Sequence, residues 1–207
     1  RHALDLQAMS IYDQNLDPNP ANHVPLSPVS FLTRSAHIYP NRTAVVHGDR
    51  RYSYAQFLER SHRLASALAK AGVGKGDTVA IMAPNTPEML EAHFAVPMLG
   101  AVLCSINIRL DAGAVGFILR HSESKVVLID PEFAPTMAKA LAEAGTGPLV
   151  VDIRDVLAPP NPPIGTIEYE AFLAGGDPDH PVLLVRGCGH IWACNSLALK
   201  LGGIGDD

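Results

Sequence analysis

Thr78-Val79-Ala80-Ile81-Met82-Ala83 is the stretch on which the fold turns. It carries no charge and no turn former, and Gly76-Asp77 and Pro84-Asn85 bound it. An unbroken apolar run of this length marks a strand covered on both faces rather than one half in water. The same composition returns at residues 101–106 (AVLCSI) and 125–129 (KVVLI). Residues 87–100 and 112–121 fill the intervals, each long enough for a crossover helix. Strand, helix, strand, helix, strand is the order of an α/β fold with a mostly parallel sheet, right-handed crossovers and helices on both faces. A further strand at 148–152 extends the series, and a five-stranded sheet is expected.

The flanks carry local signals. Ser27-Pro28 opens a short helix with Phe31, Leu32 and Ala36, because proline at the first helical position misses no amide partner. Segments 43–47 and 51–53 around Gly48-Asp49-Arg50 read as a small N-terminal β-hairpin. Ser53 with Gln56 forms a capping-box pattern, so a helix follows, with Phe57, Leu64, Ala65 and Leu68 inward and Gly72 as its stop. Gly72-Val73-Gly74-Lys75-Gly76 has the composition of a phosphate loop but the wrong context. A phosphate loop follows a strand and opens a helix, and this one does the reverse, so it reads as a helix-to-strand turn. Thr86-Pro87-Glu88 and Asp130-Pro131-Glu132 are helix starts, and Pro97 ends or kinks the first of these helices.

Composition bounds the rest. The 207 residues are 47% hydrophobic and 18% charged, enough for a sizeable core. A formal net charge of −5 without a basic run argues against nucleic acid. No apolar run reaches membrane-spanning length, and residues 1–14 lack the order of a signal peptide. Three cysteines, Cys104, Cys188 and Cys194, point to a reducing compartment, read as the cytoplasm. The domain reading is an extended arm at 1–26, an α/β subdomain at 27–157, a Pro/Gly-rich linker with a short helix at 158–178, and an atypical tail at 179–207.

Tyr39-Pro40-Asn41-Arg42-Thr43-Ala44-Val45-Val46, Arg51-Tyr52-Ser53-Tyr54 and Gly76-Asp77-Thr78-Val79-Ala80 occur in this order. Asn85-Thr86-Pro87-Glu88-Met89-Leu90-Glu91-Ala92-His93-Phe94-Ala95-Val96-Pro97 follows, then Gly100-Ala101-Val102-Leu103 leading into Ile106-Asn107-Ile108-Arg109-Leu110. Over residues 12–176 this series resembles the N-terminal portion of an AMP-forming acyl-CoA synthetase of the adenylate-forming superfamily. The resemblance implies activation of a hydrophobic carboxylic acid: attack on the α-phosphate of ATP with Mg²⁺, then displacement of AMP by coenzyme A. The family's Ser/Thr/Gly-rich loop ending Pro-Lys-Gly, its aromatic-Gly-Thr-Glu segment, its ribose-binding Asp and its mobile C-terminal lysine have no counterpart here. ATP, Mg²⁺ and CoA are therefore implied for the full-length family member, with none expected to bind tightly to this chain.

The tail has a fainter likeness. Pro181-Val182-Leu183-Leu184-Val185-Arg186, Gly189-His190 and Asn195-Ser196-Leu197-Ala198-Leu199 are similar to a segment of metal-dependent amidohydrolases, without that family's His-x-His motif. A fused, frameshifted or artificially joined chain fits both likenesses. The functional readings are thus a synthetase fragment inactive alone, a non-catalytic α/β binding or interaction module, or an amidohydrolase-related hydrolase resting on the tail. A lone sheet subdomain is also expected to expose apolar surface and to self-associate.

No catalytic set is evident. Candidate substrate-binding residues are His93, beside Phe94 on a helix, and Asn107 and Arg109, just past a strand at the edge where open α/β sheets hold ligands. For His93 the competing role is a core or interface histidine, and for Asn107 and Arg109 surface hydrogen bonding. Cys188, His190 and Cys194 supply at most three ligands, so no metal site is expected.

Overall fold

The computed structural model describes residues 17, 19, 23, 27–155, 157–159 and 161–178, together with the backbone of two short strands in the tail. Its contacts group into two units, Ser27–His180 and Arg1–Leu26 with Pro181–Asp207. The first unit runs α1 (Pro28–Ile38), β1 (Thr43–His47), β2 (Arg50–Ser53), α2 (Tyr54–Lys70), β3 (Thr78–Met82), α3 (Pro87–Met98) and β4 (Val102–Ser105). It continues with α4 (Ala112–Ser122), β5 (Val126–Ile129), a 3₁₀ turn (Pro131–Phe133), α5 (Ala134–Ala144), β6 (Leu149–Asp152), β7 (Ile167–Glu168) and α6 (Tyr169–Ala174). In the second unit β8 (Leu183–Val185) and β9 (Trp192–Cys194) pair antiparallel.

Strands β4-β3-β5-β6-β7 form one five-stranded sheet in that order, every pair parallel. The runs of β3 and β5 are central because both of their faces are covered, whereas the run at 101–106, expected to be covered in the same way, forms the edge strand β4 and is only partly buried. On one side Val79, Ile81, Leu128 and Val151 meet Leu64 and Leu68 of α2, Ala92 and Val96 of α3, and Phe172 and Leu173 of α6. On the other, Ala80, Met82, Val127 and Ile129 meet Val115 and Leu119 of α4 and Met137 and Ala140 of α5. The expected α/β fold with helices on both faces is the one observed. The hairpin β1–β2 pairs antiparallel, and Leu32, Val45 and Phe57 pack at its base. Phe57 meets the Phe94 ring edge-on, with centroids 5.3 Å apart.

Local chemistry sets the element boundaries. Gln56 N–H donates to Ser53 Oγ (3.2 Å) and Ser53 N–H to Gln56 Oε1 (2.8 Å), the reciprocal cap expected for α2. Such a cap contributes about 1 kcal/mol. Gly72, at φ +87°, ends α2, where Val73 N–H donates to Leu68 O and Gly72 N–H to Ala69 O. This left-handed stop suits glycine. The following turn is held by Asp77, whose Oδ2 accepts from Gly74 N–H (2.7 Å) and Lys125 Nζ (2.8 Å), so the glycine-rich run is a structural turn. Pro97 sits one residue before the end of α3.

Segment 158–178, read from composition as a linker with a short helix, supplies that helix as α6 and in addition the edge strand β7. Asp152 folds the proline-rich run back, because its two oxygens accept from Ile164 N–H (3.0 Å) and Gly165 N–H (2.7 Å). A Cβ at Gly165 would collide with Asp152 Oδ2 and Val150 O, so only glycine fits. The Cys188, His190 and Cys194 side chains, and with them the amidohydrolase-like reading, lie outside the described residues.

Candidate functional site

The connection from β3 leads to its neighbour on one side, β4, and the connection from β5 to its neighbour on the other side, β6. The carboxyl ends of these two strands are therefore the topological switch point, where open α/β sheets leave a crevice for ligands. Asp130 ends β5 there, and the first turn of α3, with Thr86 and Glu88, follows β3. The hairpin and the segment after β6 bring Arg50, His47 and Asp155 to the same place.

Arg50 Nη1 donates to Glu88 Oε1 at 2.6 Å, and its Nη2 lies 3.8 Å from Asp155 Oδ1. His47 Nε2 is 2.9 Å from the same Asp155 oxygen. With Asp155 ionised, Nε2 carries the proton and donates. Burial works against the Asp155 charge, but His47, the Leu157 N–H and the Arg50 guanidinium outweigh it and hold the carboxyl below its usual range. Asp130 is in the opposite position. It is fully buried, its Oδ1 accepts from Glu132 N–H (2.9 Å), and its Oδ2 has no partner. Burial, together with the charges of Asp155, Glu132 and Glu88, pushes the Asp130 carboxyl up. Glu88 Oε2 is likewise buried without a partner.

Beside this cluster, the ends of β6 and β7 enclose a cavity of about 720 Å³ lined by Arg154, Asp155, Asn161, Pro163, Thr166 and Glu168 among others. Arg154 also reaches a smaller space of about 270 Å³ with Arg50, Tyr52, Glu88 and Tyr169. A second buried network lies further along α3. Arg60 grips Glu91 through Nε (2.6 Å) and Nη2 (3.3 Å) and Glu170 through Nη1 (3.0 Å) and Nη2 (2.6 Å). Tyr169 OH donates to Glu91 Oε2 at 2.7 Å, and burial beside the Glu91 charge keeps that phenol protonated, well above its ordinary range. Burial pushes Glu91 up while three donors pull it down; the two-pronged contact with Arg60 is that of a guanidinium with an ionised carboxylate.

The residues singled out from sequence lie apart from these networks. His93 is exposed on α3, where its Nδ1 donates to Met89 O (2.8 Å), so it is not a core histidine. It stands six residues into the helix, about 9 Å along the axis from the first residue of α3 at the α-helical rise. Asn107 and Arg109 do follow β4 at that edge, both exposed, with Asn107 Oδ1 accepting from Arg109 N–H (3.0 Å). Among the described residues no hydrogen bond or ion pair joins His93 to either. Sequence reasoning missed the His47, Arg50, Glu88, Asp130, Asp155 cluster. Its one legible signal was a carboxylate at the end of a buried apolar strand, as at Asp130.

The fold and this edge define a doubly wound α/β domain. The AMP-binding enzyme family matches residues 32–183, and the chain belongs to that family. It is 47% identical over 174 residues to the peroxisomal acetate/butyrate–CoA ligase AAE7 of Arabidopsis thaliana, covering 78% of this chain and 31% of the relative. It is 44% identical over 177 residues to the acetate–CoA ligase CCL3 of Humulus lupulus, covering 80% and 31%. The chain thus spans about a third of the length of the curated relatives it matches. Among solved structures, the N-terminal domain of FACL13 from Mycobacterium tuberculosis superposes with a TM-score of 0.59 at 30% identity over 76% of this chain and 38% of that one. An anthranilate CoA ligase, AuaEII, crystallised with anthranoyl-AMP, shares the fold at a TM-score of 0.68 and 21% identity, over 78% and 30%.

The described residues do not fit a nucleotide triphosphate by themselves. The buried polar atoms without a hydrogen-bond partner at the switch point are Asp130 Oδ2, Glu88 Oε2 and Arg50 Nε and Nη2, so one cation stands among three carboxylates, and its Nη1 is already given to Glu88. The first turns of α3 and α4 are occupied by Thr86 Oγ1 and Asp111 Oδ1, which take the amides a phosphate would use. No group of three or more His, Cys, Asp and Glu among the described residues is placed to hold a metal ion. No helix among them is long and apolar enough to cross a membrane.

Proposed function

We propose that this chain is the first sheet scaffold of an ATP-dependent acyl-CoA synthetase acting on a hydrophobic carboxylic acid. The whole protein would join acid and ATP to give acyl-adenylate and pyrophosphate, then pass the acyl group to coenzyme A with release of AMP. The observation that carries the reading is the AMP-binding enzyme family match over residues 32–183, which takes in the whole sheet, together with 47% identity to a CoA ligase over 174 residues. ATP, Mg²⁺ and CoA are the cofactors proposed for the whole protein, and the acidic switch point supports assigning their contacts to residues outside this chain. His93, Asn107 and Arg109 are kept as proposed substrate-side residues, supported for the last two by their place at the carboxyl edge.

Calorimetric titration of the 207-residue protein with Mg-ATP and, separately, a medium-chain fatty acid, followed by a pyrophosphate-release assay, tests the reading. No ATP heat and no release are expected. Pyrophosphate release is expected from a protein that carries this chain together with the phosphate loop. Tight ATP binding or turnover by the 207 residues alone would refute the assignment of nucleotide contacts elsewhere.

Self-association is proposed as well, supported by exposed Phe31, Val102 and Phe117, each more than half open to solvent. The proposed compartment is the cytoplasm, supported by the low cysteine content. Several relatives are named peroxisomal, and cell fractionation placing the protein with peroxisomes would replace this assignment.

A further inference from the structure

Strand β4 lies at one edge of the sheet. Its even-numbered residues face β3: Val102 N–H donates to Asp77 O and Ile106 N–H to Ile81 O, both at 2.8 Å, with Cys104 in register with Ala80. The odd-numbered backbone groups therefore point away from the sheet. Because β4 is the edge strand and its ladder with β3 uses the even-numbered residues, no strand among the described residues pairs with Ala101 O, with either group of Leu103 and Ser105, or with Asn107 N–H. Residues 101–108 contain no charge and no proline, the devices that ordinarily guard an open edge. Val102 is 52% exposed and Ser105 is exposed.

We propose that the β4 edge pairs antiparallel with the same edge of a second copy of this chain, two-fold symmetric about Cys104. This names the surface behind the self-association proposed above and is independent of the ligase reading. The register follows from which groups are spent. Ala101 N–H already donates to Val96 O and Asn107 O already accepts from Leu110 N–H. Centring the pair on Leu103 would need the first group, and centring it on Ser105 would need the second. Centring on Cys104 sets these two spent groups opposite each other, so neither leaves a free group of the partner unpaired. Leu103 then exchanges both bonds with Ser105 of the partner subunit, and Asn107 N–H donates to Ala101 O of the partner subunit. Cys104 faces Cys104 of the partner subunit as a non-hydrogen-bonded pair, whose Cα atoms sit about 4.5 Å apart, inside the span a disulfide bridges.

The test uses the full chain with Cys188→Ser and Cys194→Ser, so that Cys104 is the one remaining thiol. Copper–phenanthroline oxidation across a concentration series should give a covalent dimer whose yield rises with concentration, in step with light scattering. Amide exchange should slow at Leu103, Ser105 and Asn107 over the same range. Val102→Lys, which places a charge on the exposed edge, should cut the cross-link at least tenfold at matched concentration with an unchanged circular dichroism spectrum. A monomer at every concentration overturns the proposal. A dimer that neither cross-links at Cys104 nor responds to Val102→Lys also overturns it, while leaving self-association through another surface standing.

Discussion

Arg60→Met should destabilise the Ser27–His180 unit strongly, because it strips the cation from a buried carboxylate. Arg60 holds Glu91, whose side chain is fully buried, and Glu170, which is half exposed. It also lies over the Tyr52 ring, 4.8 Å from the centroid. Burial disfavours the guanidinium, yet its bonds to Glu170 and Glu91 outweigh this and raise its pKa further, so it is charged at every working pH. Methionine keeps the apolar stem and removes the charge. The Glu170 arm is solvent-screened and contributes at most about 1 kcal/mol. The Glu91 arm dominates, because a buried carboxylate would be left with Tyr169 OH alone, at a cost of about 3–4 kcal/mol. At about 2–4 °C per kcal/mol for a unit of this size, Tm falls by roughly 6–16 °C.

The sign of the pH dependence follows from Glu91. Burial raises its folded pKa above the ordinary 4.5, and loss of Arg60 raises it further. Stability tied to such a group is fully present below the unfolded pKa and is lost as pH rises through the folded one. The deficit of Arg60→Met is therefore smallest near pH 4 and grows toward neutrality. Urea unfolding followed by circular dichroism at pH 4.5 and 7.5 measures it. The double variant Arg60→Met/Glu91→Leu, which removes both charges, should recover most of the loss. A single-variant loss under about 0.5 kcal/mol, the scale of an ordinary surface change, would refute the reasoning. So would a double variant worse than the single one.

Gly176→Ala places a Cβ inside contact distance of the Arg63 carbonyl on α2. The segment must lift, straining the bonds from Lys70 Nζ to Gly175 O (2.7 Å) and from Asp177 N–H to Ser66 Oγ (3.0 Å), and a loss of about 1–3 kcal/mol in urea unfolding is expected. Asp130→Asn keeps the Oδ1 acceptor for Glu132 N–H while removing a buried charge whose pKa burial has raised. By the same sign rule it should stabilise the protein by about 1 kcal/mol at pH 7, with the gain fading as pH falls toward the ordinary carboxylate value of 3.8. Equal destabilisation at both pH values would show that Asp130 serves as an ionised acceptor instead.

The sheet was legible where burial writes itself into composition. Residues 78–83 and 125–129 are apolar because they lie between two helical layers, 101–106 and 148–152 carry the same composition with partial cover, and the capping residues Ser53, Thr86, Asp111 and Asp130 act within two or three positions of themselves. Ile167–Glu168 was not legible, since two residues have no period and become a strand only by pairing with β6. The site was hidden for a related reason. His47 meets Asp155 across 108 positions and Arg50 meets Glu88 across 38. His93 drew notice by its residue type, and its helix turns it outward.

Taken alone, the chain's residues determined the α/β class, the order of strands and helices, the hairpin and the family, because periodicity, caps and phrase order are local or sequential properties. Tertiary structure decided which carboxylates lose water and which gain a cation. Asp130 and Asp155 are the same residue type at neighbouring strand ends, yet burial pushes one up while His47 and Arg50 hold the other down. That difference depends on which elements meet at the switch point, and no local pattern encodes the meeting.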